Sequence, residues 1–280
     1  EVGAMVSARA RSYVRFVAAW LVAAFLMVPC AGSAWATSFD ITVVFSGGLT
    51  GSQQAIFAQA ENTWEFLIEG YLPGVTVSGL TIDASGVAID GAGGILGQAG
   101  PTIGEWDSGY LYVTDGVMQF DSADLLWLES AGTLKDVILH EMAHVIGFGT
   151  VWTYNGLYDG SGNYTGAYGL AAHSTEFSQP GAASVPVELG GGTGTAHGHW
   201  NEVNYGAGNT GITNPDGLDM RYELMTGWLN APTYISGTTI QQFRDLGYAV
   251  IPEPGTGLLL ASGLLVLSRQ RRARFFQPLR

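Results

Sequence analysis

Apolar and polar residues alternate across residues 39–46, with Ile41, Val43 and Phe45 on one side, and this period of two predicts a half-buried strand. After Gly47-Gly48 the period lengthens. Ile56, Ala60, Trp64, Leu67 and Ile68 recur at three- and four-residue steps and predict a helix from about Ser52. Strand-like pieces at 75–77, 80–82 and 87–89 lie in a Gly-rich stretch. Residues 91–101 hold five glycines but neither end in GK[ST] nor open a helix after a strand, so they predict a loop or β-turn rather than a phosphate cradle. Residues 110–113 and 117–120 predict two further strands around Thr114-Asp115-Gly116. Leu134, Val137, Ile138, Met142 and Val145 then form the stripe of a second helix, with Thr133 and Asp136 in the form of a capping box and Gly147-Phe148-Gly149 as its stop. Strand, helix, strands, helix in this order fits an α+β domain better than a repeating βαβ array.

The two ends of the chain differ from this middle. Arg9, Arg11 and Arg15, an apolar run at 16–28 and Ala34-Trp35-Ala36 predict a secretory signal peptide over 1–36, initiated at Met5 and cleaved after Ala36. At the other end, residues 252–280 carry Pro252-Glu253-Pro254-Gly255, an apolar stretch at 258–267, then Arg269, Arg271, Arg272 and Arg274. The 14 residues from Gly255 to Ser268 fall short of the ~20 that span a bilayer comfortably. The arginines favour a cytoplasmic end, with the preceding domain outside. Residues 37–251 are the domain that these signals deliver.

Composition narrows what that domain can be. The single cysteine, Cys30, lies in the leader, so the exported chain has no disulfide and no thiolate ligand. From 37 to 252 there are three basic residues (Lys135, Arg221, Arg244) against 22 acidic ones, a balance of −19 that repels phosphates and argues against a nucleic-acid partner. Asp159-Gly160-Ser161-Gly162-Asn163 is a candidate calcium loop, although it lacks EF-hand spacing.

The chemistry concentrates in His140-Glu141-Met142-Ala143-His144 on the second helix. Four residues advance a helix by little more than one turn, so His140 and His144 share a face and can share a zinc ion. Glu141 beside them can take a proton from water activated by that metal and pass it to a leaving amine. A catalytic zinc needs a third protein ligand. His173, His197, His199 and several carboxylates are available, and spacing alone leaves His197 and His199 as rivals. Gly147 stands where H-E-x-x-H-x-x-G-x-x-H has its glycine, but Thr150 occupies the place of the last histidine.

Two resemblances add to this reading. The tail resembles the PEP-CTERM sorting signal of bacterial exports, in which a Pro-Glu-Pro motif, a short hydrophobic helix and an arginine cluster follow in order. That implies the export machinery and an exosortase as partners, with transient membrane association through the tail. The middle of the chain, from about Ser38 to Val250, resembles leishmanolysin-like zinc peptidases. There a long insertion separates the glycine from a third histidine that tryptophan follows, here His199-Trp200, and a Met-turn segment corresponds to Glu223-Leu224-Met225-Thr226. Residues 240–248 resemble the closing helix of that family. The resemblance implies a metzincin fold: a mixed twisted sheet over the active-site helix, with a smaller C-terminal subdomain. It also implies His140, His144 and His199 as zinc ligands, Glu141 as general base and acid, and Met225 as the floor of the site, leaving His173 as a loop histidine. The expected activity is endopeptidase action on protein or peptide substrates outside the cell. The chain departs from the family's disulfide-rich protozoan members, and neither a propeptide nor an oxyanion-stabilising residue is legible. Two alternatives are a non-catalytic surface or matrix protein on the same fold, and a carbohydrate-active enzyme, for which no facing carboxylate pair stands out.

Overall fold

The first strand, β1 (Ile41–Gly47), runs into α1 (Gly51–Leu67) through a capping box: the Thr50 hydroxyl accepts from the Gln53 amide while the Gln53 side chain accepts from the Thr50 amide. This computed structural model describes residues 37–252. The expected signal peptide at 1–36, and the apolar segment and arginine cluster of the tail, lie outside the described residues. Helix α1 buries Gln53, Phe57, Ala60, Trp64 and Leu67. Its inward face is thus turned slightly from the predicted one, with Ile56 only half-buried and Ile68 already in β2 (Ile68–Tyr71).

Strands β3 (Leu80–Val87), β4 (Gly97–Asp107) and β5 (Tyr110–Asp121) complete a four-stranded sheet in the order β1-β3-β5-β4. The first three run parallel and β4 pairs antiparallel with β5, so the sheet is mixed, as expected. Several details depart from the sequence reading. Residues 75–77 form no strand. Val75 and Val77 are buried, but the Thr76 amide donates to the Asp107 carboxylate at 2.6 Å instead of joining a ladder. The Gly-rich loop ends at residue 96, and residues 97–101 belong to β4. The two strands expected around Thr114-Asp115-Gly116 are one strand of 12 residues, β5.

The reason Gly116 is a glycine lies across the core. A Cβ there would sit 2.2 Å from Cγ1 of Val145, on the helix α3 (Leu134–Ile146) that follows α2 (Leu125–Ala131). The missing side chain lets α3 lie close against the sheet. Gly116→Ala is therefore expected to destabilise the fold by about 1–3 kcal/mol, read as a lower urea midpoint with an unchanged slope. An unchanged midpoint would show that the close approach is not required. Helix α3 also lacks the expected capping box. Thr133 makes no side-chain cap bond, and its hydroxyl is buried without a partner.

Beyond α3 come β6 (Asn163–Tyr164), α4 (Ala167–Glu176), β7 (Val185–Pro186), a 3-10 turn (Met220–Tyr222), α5 (Gly237–Asp245) and β8 (Tyr248–Val250). The closing helix begins at its Ser236 cap, earlier than expected, and ends at Asp245; Tyr248 is already strand. This half is knitted to the sheet half. β8 pairs antiparallel with β2, the Ile251 amide donates to the Leu67 carbonyl at 3.0 Å, and the Tyr112 hydroxyl donates to the Gly247 carbonyl at 2.8 Å. Aromatic rings pack the core of this half: Trp152 stacks on Trp200 with centroids 5.1 Å apart, and Phe148 and Tyr164 pack on the same pair. The chain is thus a mixed α/β fold, and among the described residues no helix is long and apolar enough to cross a membrane.

Candidate metal centre

Helix α3 is buried along most of its length, and its second half presents His140, Glu141 and His144 to one cleft. The helix must stop abruptly for a third ligand to reach that face. Gly147 ends it at φ +134°, and Gly149 follows at φ +72°. A Cβ on Gly149 would lie 2.4 Å from the Gly198 carbonyl oxygen, so this glycine admits the segment that bears His199. Thr150, at the position where the shorter motif has histidine, donates its hydroxyl to the His144 carbonyl at 2.7 Å and closes the helix end. The His199 segment is held on both sides. His199 accepts at its carbonyl from the Glu188 amide at 2.9 Å, and the Trp200 amide donates to the Met225 carbonyl at 3.0 Å.

The Nε2 atoms of His140, His144 and His199 form a triangle with sides of 3.0, 3.0 and 3.1 Å. Each Nδ1 is engaged elsewhere: His140 with the Leu224 carbonyl at 2.7 Å, His144 with Phe148 at 2.9 Å, and His199 with Thr195 at 2.8 Å. A ring nitrogen facing a carbonyl must carry the proton, so all three Nε2 atoms offer lone pairs to a common point. Three acceptors this close cannot bond one another; the arrangement asks for a cation. A tetrahedral ion with bonds of about 2.0–2.1 Å sets its ligand nitrogens roughly 3.3 Å apart, within a few tenths of an ångström of what is found. Carbonyl acceptors behind each ring are the usual device for fixing metal-ligand tautomers. The three histidines can therefore hold a metal ion.

Electrostatics agree with the geometry. Burial pushes His140 and His144 below the usual imidazole range, the latter strongly, and brings His199 down to about 3, with the neighbouring rings adding to the effect on His144 and His199. All three are neutral at pH 7, the state that binds metal. Burial acts on Glu141 in the opposite sense and raises its carboxyl to about 8. Glu141 fits because Gly97 opposes it; a Cβ on Gly97 would stand 3.0 Å from its Oε1. Without a cation, Glu141 holds a proton at pH 7, and a bound cation favours the carboxylate. Zinc uptake at pH 7 is therefore expected to release the Glu141 proton, in addition to what the metal-bound water gives up. Calorimetric titration in two buffers of different ionisation enthalpy measures this, and zero release at pH 7 would refute it.

The other sequence candidates fall elsewhere. His197 lines the cleft but stays out of the triangle. It is exposed, has φ +69°, and its Nδ1 is hydrogen-bonded with the Tyr158 hydroxyl at 2.7 Å. His173, expected in a loop, is buried on α4, with no partner for its Nδ1 among the described residues. Met225 is fully buried next to Leu224, whose carbonyl receives His140, and does not line the cleft. In the proposed calcium loop the Asp159 carboxylate accepts from the Ser161 amide at 2.9 Å, which closes a turn. Among the described residues the histidine triad is the one group of three or more metal-ligating side chains. The sequence reading missed the carbonyls of Phe148, Thr195 and Leu224, which carry no side-chain signature, and the role of Gly97.

The cleft encloses about 850 Å³ between the start of β4, helix α3, and the segments near residues 191–199 and 224–229. It is large enough for several residues of an extended chain. No curated protein matches the sequence. The profile of the PEP-CTERM protein-sorting motif matches residues 250–272. That motif marks the chain as exported, anchored at the cell surface before processing, with an exosortase as the processing partner.

Proposed function

We propose that this chain is an exported zinc-dependent endopeptidase with a metzincin-type, leishmanolysin-like catalytic domain. The observation that carries the reading is the convergence of three Nε2 lone pairs beside the desolvated carboxyl of Glu141 in one cleft. His140, His144 and His199 would hold the ion. When bound, zinc supplies Lewis acidity, which polarises a carbonyl and lowers the pKa of water to about 7.

The chain's own residues supply the rest. Strand β4 is the sheet edge, and residues 97–99 line the cleft, so their outward backbone groups are free to pair with an extended peptide. Such pairing draws a peptide across the cleft without reading its sequence. Glu141 has no hydrogen-bond donor among the described residues, so its carboxylate is available to take a proton from the attacking water. The same carboxyl then returns that proton to the departing amide nitrogen. Burial, which raises its proton affinity, suits it to both halves of the exchange. Asp90, Asp136 and Glu141 line the cleft and, among the described residues, no lysine or arginine does, so neutral or basic peptides meet less repulsion than acidic ones.

The test is metal analysis of the purified chain together with hydrolysis of an unstructured protein such as casein. Zinc near one per chain and cleavage abolished by a chelator are expected. A chain that takes up no metal, or that binds zinc and cleaves nothing, would overturn the reading.

A further inference from the structure

Glu223 is 1 % exposed and has no cationic partner among the described residues, yet its carboxylate accepts four hydrogen bonds. Oε2 takes the Met225 amide at 2.6 Å. Oε1 takes the Ser236 amide at 3.1 Å, the Ser236 hydroxyl at 2.9 Å and the Thr239 hydroxyl at 2.6 Å. A buried carboxyl group whose partners are all neutral donors is a costly way to brace a turn. Its cost calls for a role beyond filling space.

Following the bonds outward shows where they lead. The Met225 amide belongs to the turn whose preceding carbonyl, Leu224, receives His140 Nδ1 at 2.7 Å. The Thr239 hydroxyl, having given its proton to Glu223, accepts from Trp200 Nε1 at 2.9 Å. Trp200 directly follows His199, and its amide donates to the Met225 carbonyl at 3.0 Å. One carboxylate thus stands behind two of the three histidines by separate routes. His144, anchored on the Phe148 carbonyl, lies outside the network.

We infer that Glu223 is a positioning residue for the metal centre, which sets the orientation of His140 through the Leu224 carbonyl and of His199 through Thr239 and Trp200. This rests on the metal-centre reading above. Groups that orient metal ligands from behind contribute 10–100-fold in affinity. Glu223→Gln keeps the shape but turns an amide NH₂ toward donors that a carboxylate satisfies. Metal-free protein titrated with zinc against a chromophoric competitor should show affinity about 10–100-fold weaker in this variant. The visible absorption of the cobalt-loaded form should change as well, because two ligands shift.

A brace of the fold alone would lower the unfolding midpoint of the metal-free protein and leave zinc affinity and the cobalt spectrum as in wild type; that result overturns the inference. Should Glu223→Gln not fold, Thr239→Val cuts only the route to Trp200. A smaller loss of zinc affinity with an altered cobalt spectrum then supports the inference, and wild-type values overturn it. If the wild-type chain itself binds no zinc, the metal-centre reading falls and the inference falls with it. If wild type binds and the variants bind as tightly, the inference alone falls.

Discussion

Glu141→Gln is expected to lower kcat/KM for a peptide substrate by about 10²–10⁴-fold while zinc stays bound near one per chain. The substitution keeps the volume that Gly97 makes room for and leaves the three histidines and their carbonyl partners untouched. What it removes is a group that can accept a proton from water and give it back. The loss should therefore fall on kcat, with KM little changed, because a bound peptide would be held by the β4 edge and the cleft walls. The variant should also release fewer protons than wild type on zinc uptake at pH 7. Near-wild-type turnover in a zinc-loaded variant would remove Glu141 from the mechanism.

The second large effect separates the two rival histidines. His199→Ala deletes one corner of the Nε2 triangle, and the variant should retain no zinc after dialysis. His197→Ala removes an exposed ring that bonds Tyr158, and should keep its zinc. Stability should follow the metal. At free zinc a thousandfold above its dissociation constant, occupancy stabilises the wild-type fold by about 4 kcal/mol. For a domain of this size that corresponds to an unfolding temperature roughly 8–16 °C above the chelated form. His197→Ala should show the same gap and His199→Ala almost none. The reverse pattern would put the third ligand at His197.

How much of this was legible in the sequence depended on whether the signal was local. The helix carrying His140 and His144 was readable because period, stop glycines and ligand spacing all lie within one short segment. Spacing could not choose His199 over His197, since 55 residues separate it from His144; only the resemblance carried by His199-Trp200 favoured it. The start of β4 reads as loop because Gly97, Gly100 and Pro101 carry little strand preference; its place at the sheet edge is what tolerates them. Gly116 looks like turn chemistry beside Asp115, but its cause is the distant Val145. Val75 and Val77 show the converse error, in which alternation reports burial and not a ladder. The Glu223 network could not be read, because its donors come from residues 225, 236 and 239 and have meaning only once folded.

The clasp between β2 and β8 has a consequence for the protein's life after export. The described hydrogen bonding of the domain ends at Ile251, whose amide holds Leu67 and whose carbonyl accepts from Gln241, while the sorting motif spans residues 250–272. A cut downstream of Pro252 severs none of those bonds. On the proposed function, excision of the tail should then be a release and not an activation: the tethered and the freed form should cleave the same peptide at the same rate, and only the distance over which they act should differ.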